Sequence, residues 1–89
     1  MAKLACDIVT PEAKLYTADE VQFVAVPGSE GEMGFLYGHV PLVSTLADGN
    51  VRVQEEDGGP FRTFAIEGGY VQVTGKKVII LADKAEELK

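Results

Sequence analysis

Four of the side chains best equipped for chemistry fall in one stretch, "VPGSEGEMGFLYGHVPLVSTL" (residues 26–46): Ser29, Glu30, Glu32 and His39, the chain's single histidine. A nucleophile needs a base that a third group orients. Ser29 sits in "PGSEG", which does not run from strand into helix, and His39 is wedged between Gly38 and Val40-Pro41. Glu30 and Glu32 are two carboxylates of the kind that acid–base work uses, but a glycine-rich, exposed loop offers no burial to raise one carboxyl. Gly28, Gly31 and Gly34 recur every third residue. A phosphate cradle would lead into a helix N-terminus with a following lysine and hydroxyl. Here "FLYGHVP" follows, and the two glutamates would repel the ligand. These glycines are read instead as turn residues needing positive φ. One histidine and one cysteine make no zinc pattern, and "EED" (55–57) lacks calcium-loop spacing. No catalytic residue, metal or cofactor is expected.

Composition narrows the function classes further. The 89 residues carry fourteen acids against eight bases, a net charge of −6. Nucleic-acid binding wants a basic face, whereas the lysines and arginines here are scattered, with only Lys76 and Lys77 adjacent. Docking on an anionic membrane is disfavoured for the same reason. A lone Cys6 forms no internal disulfide and reads as a small buried apolar side chain. The longest apolar run, "VIILA", is far short of the roughly 20 residues that span a bilayer. A single soluble domain with a thin core and no targeting segment is expected.

The elements that must position these residues are short and alternating. Leu4, Cys6 and Ile8 share one face of "KLACDIVT" (3–10), which Pro11 ends. Residues 21–26 and "VIILA" (78–82) are apolar on both faces, so either the fold covers both or one face waits for a partner. Asp48-Gly49 and "DGG" (57–59) are turn signals, and Thr74-Gly75-Lys76 tips a hairpin. Strand formers between turns at such intervals predict an all-β, flattened antiparallel β-sandwich. "DKAEELK" (83–89) contains good helix formers but is too short for a stable helix, so at most a frayed helical turn is expected there.

"ADKA" (82–85) is similar to the turn that carries the modified lysine of lipoyl and biotinyl carrier domains. Those domains place the lysine at a hairpin tip midway along the chain, whereas no strand is expected after Lys84. A carrier domain, or a free-standing β-sandwich protein-binding module, is therefore the weaker of two readings, because a second resemblance covers far more of the chain.

"GSEGEMGFLYGHVPLVSTLADGNVRV" (28–53), "FAIEGGYVQVTGKKVIILAD" (64–83) and the opening "DIVTPEAKLYT" (7–17) resemble, in order, the N-terminal domain of the epsilon subunit of F-type ATP synthases. The resemblance implies a β-sandwich of about ten short strands, without catalytic activity, in the rotating central stalk. Its implied partners are the gamma subunit and the ring of c subunits. Its implied place is the cytoplasmic face of the bacterial inner membrane, held there only through the complex. Glu30, Gly31 and Glu32 match the family's c-ring loop, whose partners carry basic groups. Thr10, His39, Pro41, Leu42 and Ser44 match gamma-proximal positions. The sandwich is assigned to residues 1–84 and a short tail to 85–89. Family members usually continue into a two-helix domain, which this sequence does not contain. The start at Met1 and the lack of a tag favour a naturally short form over a piece of a longer chain, and imply assembly and coupling without inhibition by a helical hairpin.

Overall fold

The computed structural model describes residues 3–38, 41–56 and 58–88. They form ten strands: β1 (Leu4–Val9), β2 (Lys14–Val21), β3 (Phe23–Gly28), β4 (Gly31–Phe35), β5 (Leu42–Thr45), β6 (Gly49–Gln54), β7 (Phe61–Glu67), β8 (Tyr70–Val73), β9 (Lys77–Leu81) and β10 (Lys84–Leu88). Two five-stranded sheets stack face to face, ordered β2-β1-β9-β8-β5 and β10-β7-β6-β3-β4. The expected β-sandwich is what forms. One pair departs from the antiparallel rule: β1 lies parallel to β9, with Cys6 opposite Val78 and Ile8 opposite Ile80. The chain reaches that position only after building four of the second sheet's five strands, because a parallel partner requires a long crossover.

Period-two alternation explains the core. Leu4, Cys6, Ile8, Val71, Val73, Val78 and Ile80 point inward from the first sheet and are essentially unexposed. Val24, Val26, Val51, Val53, Phe64 and Ile66 meet them from the second. Each such side chain contributes about 1.5–3 kcal/mol by leaving water. Burial pushes the Cys6 thiol up to about 12, so the group is protonated and inert, as a packing residue should be. At one margin Tyr16 of β2 packs on Phe64 with ring centroids 5.1 Å apart. Its hydroxyl donates to Glu55 at 2.5 Å, and the Arg62 guanidinium lies 4.8 Å over its ring, tying the two sheets together.

The C-terminal segment corrects the sequence-based expectation. Residues 84–88 are neither a helical turn nor a tail. They are β10, antiparallel to β7, with Lys84 opposite Glu67 and Leu88 opposite Thr63. Without β10, β7 would present an open edge beside Ile66 and Phe64. Pairing there outweighs the local helix preference of Ala, Glu and Leu, which counts for little in so short a segment. Arg62 adds a fork to Glu87, with Nε and Nη2 donating at 2.8 and 2.9 Å.

Asp7 is the one buried charged side chain among the described residues. Burial raises its pKa, but the hydroxyl of Thr17 donating at 2.6 Å and the Lys77 ammonium at 3.0 Å outweigh this, and the net shift is downward. A carboxyl with a depressed folded pKa stabilises fully above its unfolded value, 3.8, and loses that contribution as pH falls through the lower folded value. Urea unfolding between pH 2 and 7 is therefore expected to show a steeper acid decline for the native sequence than for Asp7→Asn. Parallel curves would contradict this.

Candidate functional site

The Glu30 loop is a tight hairpin turn. Ser29 and Glu30 form its tip, between the paired residues Gly28 and Gly31 that end β3 and begin β4. Of the three glycines read as positive-φ residues, only Gly31 has one, at 134°. Gly28 and Gly34 lie within strands and are needed for space. A Cβ on Gly28 would sit 2.6 Å from the Gly31 carbonyl oxygen, and one on Gly34 would sit 2.6 Å from the ring of Phe23.

The turn is fastened to the end of β5. Ser29 N donates to the Thr45 carbonyl at 3.2 Å, the two hydroxyls lie 2.9 Å apart, and Ala47 N donates to the Pro27 carbonyl at 2.7 Å. Gly28 also bridges Leu46. Glu30, Gly31 and Glu32 are all exposed. They line a shallow depression of about 260 Å³ together with Met33 and Ser44. Ser44, expected on a different partner's side, thus adjoins the acidic turn.

The remaining expected positions separate along β5. Thr45 pairs with Tyr70 and Leu42 with Val73, so Leu42 and Pro41 lie at the end of the sheet remote from the acidic turn. There they line a second open depression with Val43, Gln72 and Thr74. Leu42 is half-buried against the core. Thr10 belongs to the acidic end, beside Tyr70, Leu81 and Asp83. Its hydroxyl donates to the Ala13 carbonyl and accepts from Ala13 N, closing the β1–β2 turn. His39 lies outside the described residues. Lys84 opens β10 opposite Glu67 and is not at a hairpin tip.

Two features go beyond the sequence reading, which left open whether one face of residues 78–82 waits for a partner. On the outer face of the first sheet, cross-strand register aligns Val9, Leu81, Tyr70 and Thr45 in one row and Asp7, Ile79, Gln72 and Val43 in the next. Val43 is 68% exposed and Tyr70 46%. The apolar residues on both faces of "VIILA" were the available signal; the outward phase of Val43 and Tyr70 becomes evident only once the register is known. On the outer face of the second sheet, Arg52 Nη2 contacts both carboxylate oxygens of Glu32 at 3.1 Å. No spacing rule connects those two residues.

Residues 3–88 match the model of the family described as ATP synthase, delta/epsilon chain, beta-sandwich domain. Among curated relatives, the ATP synthase epsilon chain of Desulforudis audaxviator is 48% identical over 79 residues, covering 89% of this chain and 56% of its own length. That of Helicobacter acinonychis is 43% identical over 89 residues, covering all of this chain and 70% of its own. The chain thus spans little more than half of the first of these relatives. Among solved structures, a chain of the Euglena gracilis mitochondrial ATP synthase OSCP/F1/c-ring assembly superposes with a TM-score of 0.89 at 28% identity. That match covers 98% of this chain and 54% of the other. A chain of the Tetrahymena thermophila central stalk and c-ring gives 0.78 at 15% identity, a likeness of fold. The match across all ten strands, from before β1 to the end of β10, makes this chain a member of the ATP synthase delta/epsilon-chain β-sandwich family.

Proposed function

We propose that this domain is a non-catalytic rotor subunit of an ATP synthase. It binds the gamma subunit and seats its acidic turn on the c ring, so that torque passes between proton translocation and ATP synthesis. It works peripherally, at the cytoplasmic face of a bacterial inner membrane, and reaches the membrane only through the complex. The observation that carries this reading is the family match over residues 3–88. The surface supports it. An outer sheet face that exposes Val43 and Tyr70 beside the half-buried Ile79 and Leu81 suits burial against a protein partner. The exposed carboxylates of the β3–β4 turn suit basic c-ring loops.

The test is calorimetric titration into a catalytic headpiece that retains gamma but lacks its own epsilon subunit. One-to-one, sub-micromolar binding that disappears when gamma is omitted is expected. A folded chain that does not bind would overturn the assignment.

A further inference from the structure

The outer face of the second sheet holds a chain of contacts that ends on the acidic turn. Arg52 on β6 stands opposite Ala25 on β3, which stands opposite Gly34 on β4. The space above Gly34 is taken by the Phe23 ring, which meets Phe61 edge-on with centroids 6.4 Å apart. The Arg52 guanidinium lies 5.5 Å over the Phe61 ring and extends diagonally to Glu32. Ala25 is 1% exposed although it faces outward. Arg52 is therefore held on two sides, by an aromatic face and by a carboxylate. Glu30, two residues away at the tip, has no ion-pair partner among the described residues.

We propose that Arg52 masks Glu32, so that the two glutamates of the turn are unequal. Glu30 is the acid that meets a basic partner first, and Glu32 engages only when that partner displaces or shares Arg52. The inference rests on the reading that this turn docks on basic c-ring loops. It adds a positioning residue that sets how strongly and how selectively the turn binds. In an exposed pair the internal contact is weak enough for an incoming guanidinium or ammonium to compete with it. Masking also keeps the local field of the free domain less negative, which limits capture of unrelated basic surfaces.

The experiment measures binding of the gamma–domain complex to purified, detergent-solubilised c ring, at low ionic strength and along a salt series. Glu30→Gln is expected to weaken binding about fivefold and Glu32→Gln less than about twofold. Arg52→Gln is expected to tighten binding about threefold and steepen its salt dependence. In the Arg52→Gln background, Glu32→Gln is then expected to cost about fivefold. Arg52→Lys, which keeps the charge, restores near-native behaviour. A purely structural role for Arg52 would weaken binding in every variant and would not change the ranking of the two glutamates. Equal costs for Glu30→Gln and Glu32→Gln in the native background would overturn the inference while leaving c-ring docking intact. If no substitution changes binding although gamma binding and folding are unaltered, the docking reading fails and the inference falls with it.

Discussion

Gly69→Ala is expected to destabilise the domain by about 4 kcal/mol, against about 1 kcal/mol for the neighbouring Gly68→Ala. Both glycines form the turn between β7 and β8, and both have positive φ, 64° at Gly68 and 107° at Gly69. The first value is a left-handed conformation that an alanine adopts at modest cost. Its added Cβ would meet only the end of the Asp83 side chain, at 2.8 Å, and that group can rotate away. The second value lies outside the left-handed well. A Cβ there would stand 2.0 Å from the Leu81 carbonyl oxygen and 2.8 Å from the Ala82 Cα. Both are backbone atoms at the end of β9, and moving them disturbs the β8–β9 ladder. The Gly69 carbonyl also accepts from Leu46 N at 2.9 Å, so a shifted turn pulls on the segment that anchors the acidic hairpin. Urea unfolding of both variants checks this. Equal losses would mean that the turn relaxes freely and that the close approach to Leu81 is not a constraint.

The strands were legible in the sequence because their burial alternates. Leu4-Cys6-Ile8 and Val51-Val53 each mark one covered face, and each proves to be core. Pairing order was not legible, because the parallel β1–β9 contact joins residues more than seventy positions apart and leaves no local trace. The C-terminal strand was hidden for a related reason. "KAEEL" favours helix locally, and only the open edge of β7 and the Arg62–Glu87 fork make it a strand. At the site, the exposure of Glu30 and Glu32 followed from the glycines around them. Their inequality did not, since Arg52 is twenty residues away from Glu32 and reaches it only through sheet register. The glycine pattern misled in part: two of its three members answer to close packing by Met33 and Phe23, and a one-letter pattern does not distinguish space from dihedral angle.

Removal of residues 84–89 is expected to cost about 3 kcal/mol, from five cross-strand pairs at about 0.2–1 kcal/mol each and the cover they give Ile66 and Phe64. The deletion separates a tail from a strand. A tail would be dispensable, with a change within about 0.5 kcal/mol. As β10 the segment completes a five-stranded sheet. Its loss turns β7, which carries Phe64 and Ile66, into an unprotected edge that can pair with another molecule. A lower urea midpoint should therefore be joined by concentration-dependent self-association in light scattering. Glu87→Gln isolates the ion-pair component. It leaves the backbone ladder in place, and Arg62 keeps Glu55 at 3.6 Å and the Tyr16 ring, so the loss should stay below about 1 kcal/mol. If the point variant cost as much as the deletion, the Arg62 fork rather than the ladder would hold β10 in place. The segment would then be better described as a strap clipped to the sheet at one side chain than as its fifth strand.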